Sequence, residues 1–264
     1  MNDNRKIGVI DSGVGGLTVA KEFRSLMPEE DILYLGDNRN VPYGNKTEEE
    51  IYLLTERMIN FLLENDVKLI AVACNTISSI LDKHFLKCEI PLVGIIRPVT
   101  DYIIDEKIKK VGVVATEFTI QSGMYEKYLK ERDPKIKVVS EPFKDLAEMI
   151  DKDRYSEEEI LGEIDRHLNR MLQKENIKDI ILGCTHYPIV LDKFKKVSKE
   201  INFINPAYRQ TLHSRNILEA KGMLNSRKKS SFEIYTTGDK EIYSKLINRL
   251  GMEKADRVYE RKEF

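Results

Sequence analysis

The sequence predicts an α/β protein built from a duplicated unit, and two internal echoes carry that reading. The stretch LIAVACNTISS at 69–79 returns as IILGCTHYPIV at 180–190, and KIGVIDSGVGGLTVAKEF from Lys6 can be laid on KVGVVATEFTIQSGMYEKYL from Lys110. Each copy is a short apolar run that reads as a buried strand and breaks at polar residues. The two echoes occur in the same order, as a duplicated unit requires. A chain of 264 residues holds one large domain or two smaller ones, and the repeat favours two.

The elements follow in order. KIGVI, residues 6 to 10, is a strand that stops at Asp11, Ser12 and Gly13, and LTVAKEFRSLM after it has helical spacing. The intervening DSGVGG resembles a phosphate loop, but Thr18 stands where G-x-G-x-x-G needs glycine and Asp11 would repel a phosphate. Its glycines are read as permitting a tight turn and close approach of the backbone to a ligand. DILYLG, 31 to 36, is a second strand, followed by the loop DNRNVPYG, whose Pro42 and Gly44 set its course and whose Tyr43 either packs or offers its hydroxyl to a ligand. Thr47 to Glu50 is a capping box opening a helix with Ile51, Leu54, Met58, Phe61 and Leu62 on one face. The Cys74 strand comes next, then a helix through Leu81 and Phe85, then PLVGII, a strand ended by Arg97 and Pro98.

In the second half, Ser156 to Glu159 is another capping box, and Ile160, Ile164, Leu168 and Met171 form an apolar face. His167, His84 and His213 are read as solvated. Beyond Val190 a helical stretch leads to INFINPA, 201 to 207, a strand with a proline break. A helix from Gln210, the basic loop SRKKS, the strand FEIYTTG and a last helix through Ile247 and Leu250 complete the chain.

Composition narrows the function. Lys plus Arg at 43 nearly cancels Asp plus Glu at 44, so no overall field favours nucleic acid or an acidic membrane, and the run Arg227, Lys228, Lys229 is too short to argue for either. A small-molecule partner fits better. No signal-peptide core opens the sequence and no apolar run approaches a membrane span, which predicts a cytoplasmic protein. Cys74, Cys88 and Cys184 form no C-x-x-C pair and suit a reducing compartment; Cys88, in the polar connection KCE, is given no chemistry.

A lone buried cysteine is usually a small hydrophobe. Two that recur at the ends of matched strands, each followed by hydrogen-bonding side chains, point to function instead. A thiolate is favoured near a helix amino terminus, where both cysteines are expected, and Asn75, Thr76, Thr185 and turn N–H groups could hold a substrate carboxylate. Asp11 and His186 add a titratable partner on each side. Nucleophilic attack by Cys184 with His186 as base would leave Cys74 unexplained. Zinc on Cys74, Cys184 and His186 would lack the paired close spacings of zinc sites. Only a two-base reaction, one thiol removing a proton from carbon and the other returning one to the opposite face, accounts for the repeat.

DSGVGGLTV, DNRNVPYG, VACNT and GCTHYP, in this order, resemble the glutamate racemases of the aspartate/glutamate racemase superfamily, over Ile7 to about Gly251. The resemblance implies two pseudo-symmetric, doubly wound α/β domains with the active site at their interface, the second inserted into the first: 1–97 plus 207–264, and 98–206. It implies interconversion of L- and D-glutamate with no cofactor and no metal, supplying D-glutamate for peptidoglycan. By motif, Cys74 would deprotonate D-glutamate and Cys184 L-glutamate, with Asp11 and His186 assisting. Ser12, Pro42, Tyr43, Gly44, Asn75, Thr76 and Thr185 would contact substrate together with Asp11 and His186. Thr116 and Thr119 stand where the family has hydroxyls near the ligand, and Glu148 aligns loosely with a family glutamate. IIRPVT at 95–100 departs from the family, which usually has an acidic residue before the proline and glycine after it. A racemase of aspartate or another acid is the alternative, and a binding protein that kept the fold without the chemistry is another. A homodimer is left open, and the short segment before Ile7 leads us to expect no activation by a cell-wall precursor.

Overall fold

The computed structural model describes residues 3–85, 88–152, 155–226 and 230–264; the basic run 227–229 lies outside them. In chain order the elements are β1 (Ile7–Asp11), α1 (Leu17–Leu26), β2 (Ile32–Gly36), α2 (Glu48–Glu64), β3 (Leu69–Val72), α3 (Asn75–Ser78), α4 (Leu81–His84) and β4 (Leu92–Gly94). Then come α5 (Ile96–Asp105), β5 (Lys110–Ala115), α6 (Glu117–Gln121), α7 (Met124–Arg132), β6 (Lys137–Pro142), α8 (Leu146–Lys152), α9 (Glu157–Lys174), β7 (Asp179–Gly183), α10 (Leu191–Val197) and β8 (Asn202–Ile204). The chain returns through α11 (Pro206–Ala220), β9 (Phe232–Thr236), α12 (Lys240–Arg249) and β10 (Arg257–Glu260).

Two parallel sheets result. One has six strands in the order β10-β9-β2-β1-β3-β4, the other four in the order β6-β5-β7-β8. Parallel sheets covered on both faces need strands that are apolar throughout, which is why β1 and β2 are buried at every position. Alternate residues serve different layers. Ile7 and Val9 join Leu17, Val19 and Phe23 of α1 on one face, while Ile10 meets Ile51, Met58 and Leu62 of α2 on the other. The second sheet repeats this, with Val111 and Val113 toward Tyr125 and Leu129 of α7, and Val114 toward Ile164, Leu168 and Met171 of α9. The first of these layers is shared. Ile7, Val9, Val111 and Val113 belong to one continuous apolar cluster, so the two lobes are welded through a common core.

Both capping boxes form as expected, at Thr47 with Glu50 and at Ser156 with Glu159. Several expectations fail for identifiable reasons. The PLVGII strand covers only Leu92–Gly94, and Arg97 and Pro98 open α5, because a first-turn proline forfeits no helical hydrogen bond. The stretch after Cys74 is two short helices rather than one. The helix expected from Gln210 starts four residues earlier, where Asn205 accepts from Ala207 N and Pro206 supplies the first position; Gln210 instead donates to the carbonyls of Val72, the last residue of β3, and Val93 in β4. Sequence reading missed β10, a polar edge strand beside β9. His167 is not solvated. It is 6% exposed, packed at a tilt against Phe143 and set between Glu141 at 2.9 Å and Glu163 at 3.0 Å. Among the described residues, no helix is long and apolar enough to cross a membrane.

Candidate active site

The carboxyl ends of β1 and β3 in the first sheet and of β7 in the second meet around a cavity of about 170 Å3. Open α/β sheets bind ligands at such ends. β3 runs out at Val72, and Cys74 caps α3, its carbonyl accepting from Ser78 N at 2.8 Å. β7 runs out at Gly183, and Cys184 begins a turn closed by Tyr187 N donating to its carbonyl at 3.2 Å. Both thiols line the cavity, 6% and 7% exposed. Only Cys74 stands at a helix amino terminus, however. The Cys184 turn leads into a 3-10 segment, and the sulfur lies 3.7 Å from His186 Nδ1, so its cationic neighbour is an imidazole.

Ser12, Pro42, Tyr43, Gly44, Asn75, Thr76, Thr116, Thr185 and His186 also line the cavity. Asp11 and Thr119 stand one layer behind it. Asp11 is fully buried and accepts from Gly13 N at 3.1 Å and from the Thr185 hydroxyl at 3.2 Å. Thr119 completes a hydroxyl cluster with Thr76 at 3.3 Å and Thr116 at 2.9 Å, and Thr76 reaches Thr116 at 3.1 Å, which seams the lobes beneath the cavity. Of the two alternatives for Tyr43 the structure shows packing: it is 2% exposed, its ring forms cavity wall, and its hydroxyl donates inward to Asp37.

Two glycines of DSGVGG also make room for protein neighbours. A Cβ on Gly15 would lie 2.6 Å from Thr185 Oγ1 and 2.8 Å from His186 Nδ1, and one on Gly16 would lie 2.5 Å from Asp11 Cβ. These two glycines permit close approach to the opposing lobe's turn and to Asp11.

Burial sets the electrostatics. It pushes the Cys74 thiol up to about 12, aided by the Asp11 charge and only partly offset by Ile77 N–H and Ser12, to which the thiol donates at 3.5 Å. It pushes Asp11 up to about 6 against the His186 charge and the Gly13, Gly16 and Thr185 hydrogen bonds. For His186 burial works the other way, yet Asp151 and Cys184 overcome it and hold the imidazole well above its ordinary value.

Asp151 is the functional candidate that sequence reading missed. It sits on α8, lines the cavity and faces His186 Nε2 at 3.4 Å. Glu148, one turn earlier, also lines the cavity but pairs with Lys152 rather than with His186. The available signal was that two acids three apart share a helix face. Tyr125 was missed too; its hydroxyl donates to Asn75 Oδ1 at 2.6 Å, which orients the amide and leaves Asn75 Nδ2 without an acceptor among the described residues. Among the described residues, no three His, Cys, Asp or Glu side chains cluster as a metal-binding group.

A model of the Asp/Glu/Hydantoin racemase family matches residues 7–207. The chain belongs to that family. Within it, the chain is 37% identical over 250 residues to a glutamate racemase of Lactobacillus acidophilus, covering 92% of each. It superposes on the crystal structure of a glutamate racemase isoform from Bacillus anthracis with a TM-score of 0.91 and 35% identity, covering 98% of both chains. The glutamate racemase of Francisella tularensis, solved with D-glutamate, matches with a TM-score of 0.88 and 30% identity, again over 98% of both. The racemase family thus accounts for both lobes, including β9 and β10, which lie beyond the matched residues 7–207.

Proposed function

We propose that the chain is a glutamate racemase, interconverting L- and D-glutamate by two thiols without a cofactor and supplying D-glutamate for peptidoglycan. The observation that carries this is the placement of Cys74 and Cys184, on equivalent strand ends of different sheets, against one cavity. The relatives' substrate selects glutamate over aspartate.

The Cys184 thiolate takes the α-proton of L-glutamate, and the Cys74 thiol, protonated at neutral pH because burial lifts it to about 12, returns a proton to the other face. D-glutamate is then released and the two sulfurs have exchanged protonation states. The reverse reaction starts from the Cys74 thiolate. An amino-acid α-proton is a far weaker acid than a thiol, so a base as strong as a thiolate of such a thiol narrows the gap, and hydrogen bonds from turn N–H groups and Asn75 Nδ2 to the α-carboxylate strengthen as charge develops. His186, kept protonated by Asp151, shares its proton with Cys184. Ser12, Thr76, Thr116 and Thr185 supply hydroxyls to the carboxylates and ammonium. Asp11 acts from behind through Thr185, and Thr119 through Thr76 and Thr116.

The proposal places the domains at 1–97 plus 207–264 and at 98–206, the first boundary falling in the first turn of α5, and includes a cytoplasmic homodimer, which light scattering and cell fractionation test. The catalytic reading is tested by proton NMR of each enantiomer in D2O. Loss of the α-proton signal with appearance of the other enantiomer is expected, and Cys74→Ser or Cys184→Ser should lower racemisation by at least about 1,000-fold while leaving some one-directional exchange. Undiminished turnover in either variant would sink the two-thiol mechanism.

A further inference from the structure

Asp37 follows β2 immediately, is 3% exposed and has no part in the chemistry above. Its carboxylate pairs with no Lys or Arg among the described residues. Three neutral side chains converge on it instead: Asn40 Nδ2 lies 3.0 Å from Oδ1 and 2.9 Å from Oδ2, the Thr237 hydroxyl donates to Oδ1 at 2.6 Å, and the Tyr43 hydroxyl donates to Oδ2 at 2.6 Å. The backbone is held as well, since Asp37 N donates to the Asp11 carbonyl at 3.2 Å and Thr237 Oγ1 also accepts from Arg39 N at 3.0 Å.

The partners give this knot its meaning. Asn40 and Tyr43 lie on the loop that supplies Val41, Pro42, Tyr43 and Gly44 to the cavity, and Thr237 lies just past β9. On its far side the loop abuts the second lobe, where a Cβ on Gly44 would come within 3.1 Å of Thr116 Cβ. A buried carboxylate is costly, and a neutral amide would close a turn more cheaply. What the carboxylate adds is the capacity to draw in several donors at once through short, charge-assisted hydrogen bonds.

We infer that Asp37 is a positioning residue for the substrate: acting through Tyr43, it fixes the 41–44 wall of the cavity in the conformation that captures glutamate. This rests on the reading of the cavity as a glutamate site. A loop released from the knot spends less time in the binding conformation, and apparent affinity falls by that fraction while the thiols stay in place.

The test is steady-state racemisation, by circular dichroism, of wild type, Asp37→Asn, Tyr43→Phe and the double variant. Loss of a charge-assisted hydrogen bond predicts KM raised about tenfold or more for both enantiomers in Asp37→Asn, with kcat within about threefold. Because Asp37 reaches the cavity wall through Tyr43, the double variant should show a KM no higher than the worse single variant. Unchanged KM in Asp37→Asn, a fall in kcat alone, or multiplicative effects in the double variant would overturn the inference. If Asp37→Asn does not fold, Thr237→Val keeps the carboxylate and removes one donor; a KM rise of a few fold is then expected and an unchanged KM overturns. Wild type inert toward glutamate would overturn the glutamate reading along with this one, whereas active wild type with an indifferent Asp37→Asn would overturn this one alone.

Discussion

The Thr185 hydroxyl donates to Asp11 Oδ1 across 3.2 Å, tying the turn after β7 in one lobe to the end of β1 in the other. The bond joins a residue at the cavity wall to a buried carboxylate that the burial around it pushes up to about 6. Charge on Asp11 is therefore held at a cost to folding.

That cost has a sign. A carboxyl raised from 3.8 to about 6 binds its proton more tightly folded than unfolded, so stability is lost as pH climbs through that window and stays lower above it. At about 1.4 kcal/mol per pH unit the loss is on the order of 3 kcal/mol. Urea unfolding at pH 4.5 and 7.5 should show wild type losing more stability than Asp11→Asn over the interval, by up to that amount. Racemisation should move oppositely, falling below about pH 6 as Asp11 takes up its proton. Parallel stability profiles for the two proteins would remove Asp11 from this role.

Asp151 makes a different prediction. Burial lowers the His186 pKa, and the bond to Asp151 is the largest influence raising it. Asp151→Asn should let the imidazole deprotonate sooner, shifting the alkaline limb of kcat/KM for L-glutamate down by about one pH unit or more. In Glu148→Gln that limb should stay put, because Glu148 is engaged with Lys152. A pH profile unchanged in Asp151→Asn would show that His186 does not depend on this partner.

Gly15→Ala tests the seating of the lobes. The new methyl would meet Thr185 Oγ1 at 2.6 Å and His186 Nδ1 at 2.8 Å. The turns must part or both side chains must rotate. Overpacking of this kind costs about 1–3 kcal/mol, while a displacement of about 1 Å at a reacting centre costs about 100-fold in rate. We expect kcat/KM to fall by about two orders of magnitude in a protein whose unfolding midpoint drops only modestly; a fully active variant would contradict the contact.

Much of this site could be read from sequence because its side chains directly follow apolar runs. Cys74 and Cys184 come at or just past strand ends that consecutive hydrophobic residues already mark, five before Cys74 and three, Ile180 to Leu182, ahead of Gly183 and Cys184, and Thr47 and Ser156 announce their helices by local pairing alone. What stayed hidden depends on distant partners. His167 looks like any polar residue on a charged helix until β6 brings Glu141, 26 positions away, against it. Asp151 is distinguished from Glu148 only by how α8 lies against the turn after Cys184. Arg97, in the atypical IIRPVT segment, contacts Tyr128 with its guanidinium 3.8 Å from the ring and lies near Asp82 and Glu131, a surface cluster between α4, α5 and α7 rather than part of the cavity. β10 escaped because an edge strand ending in Arg257 and Glu260 lacks the apolar run that betrays a buried one.

The sheet order has a bearing on how the molecule is made. β2 lies between β1 and β9, yet β9 and β10 leave the ribosome after the entire four-stranded sheet. A nascent chain can therefore finish its internal lobe while the outer one still carries an unzipped β2 edge. Thr237, which fastens Asp37, arrives only with that last stretch. The 41–44 wall of the cavity is thus among the latest parts to be set, so a truncated or stalled product would carry both thiols and still lack the wall proposed to bind the substrate.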